Sequence, residues 1–414
     1  MRLEKVGEER MLEMSRIAAI AFTFAMNDPE PENPRQEGDV EQKLRQSEHW
    51  AMVDEATGKL MGGMILIDYQ TRIGENWLPL SGVGGVATLP EYRRAGVIRG
   101  VFSEVLPMMY ERGIALSGLY PFSHAFYRKF GYETFGGQNM ADVGLEQLRG
   151  FEQPDEVRMI EDSRDMLSAR AIYERFAQTR DLAMRRHFDS QWKKIMGGDA
   201  YKERVYKYLL MRRKDGELEP CAYIVFSPDD GKGGGRIAAA REAAYVDGDA
   251  FRRLLGFMST FFPHYSRLRM ALPGDVDLAA ICRDAYDVHY NVERGYMLRA
   301  INAKLLLDSQ PVSPTLRMAA KAAPLEFTLA LTDEFIAKNT GLYRVRISES
   351  GVSCALEGMA QADIEMGITG FTQLVTGTLS LEQAIFNGTV RENSPCPAAH
   401  MLFVKRPQYI ADHY

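Results

Sequence analysis

Cysteine is scarce: Cys221, Cys282, Cys354 and Cys396 stand far apart in a chain of 414 residues. No C-x-x-C pair occurs, and the seven histidines form no H-E-x-x-H or Cys/His ladder. Neither a disulfide framework nor a structural zinc site is therefore indicated, and no metal is expected. Long apolar runs are missing too. The stretch 17–26 falls far short of the ~20 residues of a membrane span, and the opening MRLEKVGEERM is charged where a signal peptide needs an apolar core. Nor is there an excess of positive charge. Lys and Arg number 50 against 56 Asp and Glu, a net charge of −6, which argues against nucleic acid as the main partner. These absences lead to the expectation of a soluble cytoplasmic protein with no membrane partner.

What is present is an ordinary globular composition, 46% hydrophobic and 26% charged, in a chain long enough for two or three domains. Apolar residues recur at helical spacing over 7–26, with Met11, Met14, Ile17 and Ala18 on one face. The stretch 27–42 is loop-like and strongly acidic. Segments 50–53 and 60–69 read as a hairpin around DEATGK, followed by a strand at 80–89, a helix at 94–112 and a strand at 114–119. A short helix at 124–130 and strands to about 143 complete a mixed α/β block.

A second block begins near 155. It reads as helices at 163–179 and 199–213, a strand at 220–227, a strand at 237–245, a helix at 251–262 and a strand at 267–272. The strand–turn–helix–strand unit of the first block recurs here, as in a degenerate internal duplication. DDGKGGGR at 229–236 is glycine-rich but lies between two strand-like segments, so a hairpin loop fits it better than a phosphate cradle. In the last ~115 residues, segments 325–331, 342–347, 352–355 and 362–367 alternate like a small antiparallel sheet, and helices follow at 369–376 and 380–387.

The most informative stretch is VATLPEYRRAGVIRG at 86–100. A strand ends at Leu89-Pro90, and Arg93-Arg94-Ala95-Gly96 opens a helix. Such a corner offers unpaired backbone N–H groups and the positive end of a helix dipole, a natural seat for phosphate. Gly96 permits close approach, and Arg93, Arg94 and Arg99 can neutralise charge. It is neither a P-loop nor a G-x-G-x-x-G fingerprint. On these residues alone an ordinary solvated helix start remains an equal reading.

In its full form, V-x-[TV]-x-P-x-x-R-R-x-G and two hydrophobic residues, after a hairpin and before a long helix, the stretch resembles the acetyl-CoA pyrophosphate loop of the GNAT superfamily of N-acetyltransferases. The usual [QR]-x-x-G-x-[GA] is matched at Arg93 and Gly96, while Ile98 stands where Gly or Ala is usual. The resemblance implies that Val86, Ala87 and Thr88 offer backbone groups to the pantetheine arm. It also implies that Arg93, Arg94, Ala95, Gly96, Val97, Ile98 and Arg99 hold the pyrophosphate, with Phe122 and Ser123 adjoining the cofactor. Phe126-Tyr127-Arg128-Lys129-Phe130-Gly131-Tyr132 resembles the superfamily turn whose tyrosine sits near the thioester sulfur. By that likeness Tyr127 is the general acid; the surrounding aromatics equally suit it to packing.

The order of the blocks resembles the Eis-type (enhanced intracellular survival) acetyltransferases. That likeness implies an N-terminal GNAT domain at 1–150, a second, degenerate GNAT-like domain at 151–299, and a sterol-carrier-protein-like α+β domain at 300–414. Asn339-Thr340-Gly341 and ADIEMGITGFTQLVTGTLSLEQAIFNGTV at 362–390 carry the last part of it. In that family the C-terminal carboxylate serves the first domain as general base, and here it belongs to Tyr414. A free α-carboxyl titrates near ~3.5 and an ammonium near ~10, so the carboxylate could equally anchor the substrate cation.

The expected activity is acetyl transfer from acetyl-CoA, as co-substrate, to polyamine, aminoglycoside or lysine-type amines. By the same resemblance Phe22 and Phe24 are candidate pocket residues, with core packing as the other reading, and the acidic stretch 27–42 is a candidate wall for a cation, or else a solvated loop. The resemblance further implies a homo-oligomer, with a hexamer as the expected form. Two other classes stay open: an apolar-ligand carrier with relic GNAT domains, and an acetyl-CoA sensor without turnover.

Overall fold

The computed structural model describes residues 1–23, 47–187, 189–230, 236–323, 325–357 and 361–412. Two compact units divide the chain, and each is discontinuous in sequence. The first comprises Met1–Phe135 and Gly295–Lys405; the second comprises Gly136–Arg294 and the tail from Arg406. No helix among the described residues is long and apolar enough to cross a membrane.

In the first unit, β1 (Arg2–Lys5), β2 (Ser47–Val53), β3 (Leu60–Ile73) and β4 (Asn76–Thr88) form an antiparallel run. β4 then pairs in parallel with β5 (Leu116–Leu119). The neighbour of β5 comes from far along the chain. Strand Met297–Ala300 inserts antiparallel between β5 and β6 (Glu133–Thr134). Alternation of side chains gives this sheet two apolar faces. α1 (Met11–Phe22) lays Met14 and Ile17 on one face, against Val6, Val53, Leu60 and Ala87. α2 (Val97–Glu111) lays Val101, Phe102, Val105 and Met109 on the other, against Met52, Met64, Leu66 and Val83. α3 (His124–Arg128) follows β5.

The same unit carries a second, smaller sheet. Leu325–Thr332, Gly341–Ser348 and Gly351–Glu357 form its antiparallel part, while Ile364–Gly367 pairs with Leu325–Thr332 in parallel. The antiparallel sheet expected from the alternation is thus mixed, because Ile364–Gly367 takes the other edge of Leu325–Thr332 instead of continuing the hairpin run. Helix Ile368–Val375 packs on strand Met297–Ala300, and helix Leu381–Phe386 starts at a capping box made by Ser380 and Gln383.

The second unit repeats the strand order of the first. From one edge run Glu156–Met159, Tyr206–Lys214, Glu217–Asp229, Ile237–Tyr245, Arg267–Leu272, Gln138–Gly144 and Val288–Glu293. The sole parallel pairing among them again joins the fourth and fifth strands, and again the sixth strand comes from elsewhere in the chain. Gln138–Gly144, which the sequence places at the end of the first block, therefore builds the second unit's sheet. Conversely, Met297–Ala300 at the close of the second block builds the first.

One expected helix is a strand. Residues 199–213, read as helical, hold a turn and then strand Tyr206–Lys214, which forms a hairpin with Glu217–Asp229. Asp215 (φ 52°) and Gly216 (φ 87°) close it, the left-handed pair that a two-residue hairpin turn requires. The Asp-Gly signal was present in the sequence, and charged residues at accidental helical spacing concealed it. The strands flanking DDGKGGGR pair antiparallel with Asp229 opposite Ile237, as a hairpin demands; 231–235 lie outside the described residues.

Candidate active site

The site grows from one mismatch in the sheet. β5 pairs with β4 only over Leu80–Val83, so β4 runs on to Thr88 without that neighbour. Its register against β3 slips by one residue near Gly85, whose φ of 57° makes a bulge. On that side, backbone groups along 84–88 face no strand among the described residues.

Beyond the end of β4 stands the N-terminus of α2. Gly96 is its N-cap at φ 79°, no side chain among the described residues caps it, and its first turn holds no acidic residue. A 15-residue helix left this way presents free N–H donors and the positive end of its dipole. Arg93, Arg94 and Arg99, all exposed, add cations where the dipole alone would disfavour them. The combination makes sense when an anion occupies the corner.

A groove of about 670 Å³ lies here. Among the residues singled out in the sequence, Val86, Ala87, Thr88, Arg93, Arg94, Gly96, Val97, Ile98, Arg99, Phe122 and Phe22 line it. Ala95 sits in the exposed turn without lining the groove, and Ser123 serves instead as N-cap of α3, accepting from the Phe126 N–H at 3.3 Å. Phe24, Tyr414 and the acidic stretch 27–42 lie outside the described residues. Sequence reasoning did not assign Ala21, Tyr92, Phe126, Lys129 or Phe130 to the groove, though all five line it. The last three share the aromatic turn of Tyr127, and that proximity was the available signal.

Tyr127 itself is buried. Its ring is packed edge-on by Phe102, Phe122, Phe126 and Tyr132. Burial, and to a lesser extent Tyr132, holds its phenol above the usual tyrosine value, so the group is protonated at neutral pH. Burial likewise pushes Tyr132 up to about 12, while its hydroxyl sits 2.7 Å from Ser117 Oγ. No cysteine among the described residues lines the groove. Burial raises Cys221 to about 11 and Cys354 and Cys396 to about 12, so these thiols are poor nucleophiles.

The second unit has the same strand–helix corner and treats it differently. Helix Gly248–Ser259 is capped by Asp247, whose carboxylate accepts from the Ala250 N–H at 2.9 Å. Asp249 occupies the first turn, and Arg212 bonds to both carboxylates. Here the chain's own anions satisfy the helix end. The tail Arg406–Asp412 also docks within this unit, with the Asp412 carboxylate 2.7 Å from a fully buried Arg186 that also pairs with Glu242. Tyr409 packs edge-on against Phe176.

Comparison with known families agrees with this geometry. Residues 2–135 match an acetyltransferase (GNAT) domain, and residues 315–411 match a sterol carrier protein domain. The chain thus carries a GNAT acetyltransferase domain at its N-terminus and a sterol carrier protein domain at its C-terminus, in a mixed α/β fold. Solved structures reproduce the fold along the whole chain. A probable N-acyltransferase from Enterococcus faecalis is 20% identical with a TM-score of 0.81, covering 100% of this chain and 99% of its own. A GCN5-related N-acetyltransferase from Anabaena variabilis is 18% identical with a TM-score of 0.80, covering 100% of both chains. Eis1 from Mycobacterium abscessus is 17% identical with a TM-score of 0.78, again covering 100% of both. None of the curated proteins matches the sequence.

Proposed function

We propose that the protein transfers the acetyl group of acetyl-CoA directly to an amine, with polyamines, aminoglycosides and lysine side chains as the acceptor class. The observation that carries this reading is the groove in which an unpartnered strand edge meets an uncapped helix end among three arginines. The strand edge suits the amide-bearing pantetheine arm and the helix end suits the pyrophosphate.

In the reaction, the lone pair of a neutral amine attacks the thioester carbonyl carbon, and the C–S bond breaks as the tetrahedral adduct collapses. The departing thiolate takes a proton from the phenol of Tyr127, and the amine nitrogen loses one to a base. That base is assigned to the C-terminal carboxylate of Tyr414, acting directly or through water. Direct transfer needs no acyl-enzyme, in keeping with the lack of a cysteine among the described groove residues. The acidic stretch 27–42 would attract a cationic acceptor.

The second unit is a structural copy without acyl-CoA binding. Asp247 and Asp249 support this, since they place negative charge where a pyrophosphate would sit. The assembly is a cytoplasmic homo-oligomer, of hexameric form.

The test is thiol release from acetyl-CoA across a panel of polyamines, aminoglycosides and lysine peptides. The chain ending at Tyr414 is compared with one extended by two residues. Turnover that disappears on extension supports both transfer and the carboxylate. Turnover in both forms removes Tyr414 as base. Acetyl-CoA binding without turnover across the panel overturns the transferase reading in favour of a sensor, and absence of both favours a carrier.

A further inference from the structure

A buried charged network ties the C-terminal domain to the active-site turn. Arg299, on strand Met297–Ala300, has a fully buried side chain that makes three directed hydrogen bonds. Its Nε donates to the Phe130 carbonyl at 2.7 Å, one Nη to the Ala300 carbonyl at 2.8 Å, and the other to Asp333 Oδ1 at 2.6 Å. Asp333 belongs to the loop 333–339 of the C-terminal domain. Its Oδ1 also accepts from the Phe335 and Ile336 N–H groups, and its Oδ2 accepts from Asn339 Nδ2 at 2.9 Å. Asn339 in turn donates to the Ile301 carbonyl and accepts from the Ala303 N–H. A buried charge paired with a buried counter-charge fixes geometry closely, because displacement of either strands an unsolvated ion.

The point of attachment matters. Phe130 lines the groove and lies three residues after Tyr127. The next residue, Gly131, has a φ of 82°, and a Cβ there would lie 2.8 Å from Ile368 Cγ2 and 3.0 Å from Arg299 Nε. The aromatic turn is thus pressed against Arg299 and a helix of the C-terminal domain. The same loop also reaches the pyrophosphate corner. The Phe335 ring lies 5.3 Å from the Arg99 guanidinium carbon and 5.8 Å from the Phe130 ring. Lys338 pairs with Glu111 at the other end of α2.

We propose that loop 333–339 of the C-terminal domain is a positioning element of the acyl-CoA site, acting through Arg299 on the Tyr127–Phe130 turn and through Phe335 on Arg99. This assigns the C-terminal domain a part in catalysis that needs no ligand of its own. It rests on the transferase reading for its kinetic consequences, but the mechanical coupling can be read without turnover.

The experiment uses the full chain with Asp333→Asn, Phe335→Ala and Phe335→Tyr, each checked for folding by circular dichroism. Hydrogen exchange over 124–132 reads the coupling, calorimetry reads acetyl-CoA binding, and thiol release reads kcat. Asp333→Asn should speed exchange over 124–132 roughly tenfold. It should lower kcat at least about tenfold while leaving the acetyl-CoA Kd within about twofold. Phe335→Ala should raise that Kd about threefold, and Phe335→Tyr should restore it. Folded Asp333→Asn and Phe335→Ala with parental exchange, kcat and Kd overturn the proposal. If Asp333→Asn does not fold, Phe335→Ala decides alone. A parent without turnover overturns the transferase reading only, and exchange and Kd then decide whether the loop positions the site.

Discussion

Arg94 holds a left-handed backbone conformation, φ 67°, two residues before Gly96, which holds another. For a side chain with a Cβ that conformation costs about 1–2 kcal/mol. Glycine would remove the strain but would add about 0.5–1 kcal/mol of unfolded-state entropy. Arg94 is exposed, so its replacement forfeits little packing. Arg94→Gly should therefore stabilise the protein by a net ~0.5–1 kcal/mol. For a unit of this size, that raises the unfolding midpoint by up to about 4 °C.

Affinity should move the other way. An exposed guanidinium against a pyrophosphate contributes on the order of 1 kcal/mol, so acetyl-CoA should bind roughly fivefold more weakly, with a difference that shrinks as salt rises. Arg94→Ala separates the two effects, since it removes the charge while keeping the strain. Its Kd should match that of Arg94→Gly without the gain in stability. Urea unfolding and calorimetric titration at two salt concentrations check both quantities. A less stable Arg94→Gly protein, or a Kd that neither substitution changes, would refute the idea that strain is retained here for anion binding.

Tyr127→Phe should lower kcat by about 10²–10⁴ with an unchanged acetyl-CoA Kd, and unaltered thiol release would remove the phenol from the chemistry. Glu48 is held down at about 2, with burial opposing the shift and Lys5, Arg112 and Trp50 driving it. A depressed carboxyl contributes stability above its unfolded pKa and loses it as pH falls toward its folded one. The parent should thus lose stability more steeply than Glu48→Gln between about pH 4.5 and pH 2, and parallel acid-unfolding curves would contradict this. Asp412→Ala leaves the buried Arg186 with Glu242 as its one carboxylate partner among the described residues and should destabilise by about 3 kcal/mol. Urea unfolding should show this alongside faster hydrogen exchange over 406–412, and a loss below about 1 kcal/mol would mean the tail is not held by this pair.

Local signals in the sequence were sufficient wherever one segment carried its own pattern. The apolar stripe of α2, the Pro-x-x-Arg-Arg-x-Gly entry to it and strand Arg267–Leu272 were all legible, because helical period, strand alternation and a phosphate-seat corner are short-range properties. The position of Arg93 and Arg94 at a strand–helix corner was legible for the same reason, whereas residues 86–88 were singled out through the family resemblance. Strand Tyr206–Lys214 was not, since its helix-like charge spacing is overruled by pairing with Glu217–Asp229.

Other features have no local signature at all. Nothing in MLRA says that Met297–Ala300 will lie between β5 and β6, far earlier in the chain, or that Gln138–Gly144 will leave for the other sheet. Tertiary structure alone decided that exchange. A strand buried on both sides needs two edges of matching length and polarity, and only the assembled sheets offer them. The placement of Arg299 follows from the same step. Its charge is tolerable in the core only because folding brings Asp333 and the Phe130 carbonyl to it, and in doing so joins the C-terminal domain to the turn that carries Tyr127.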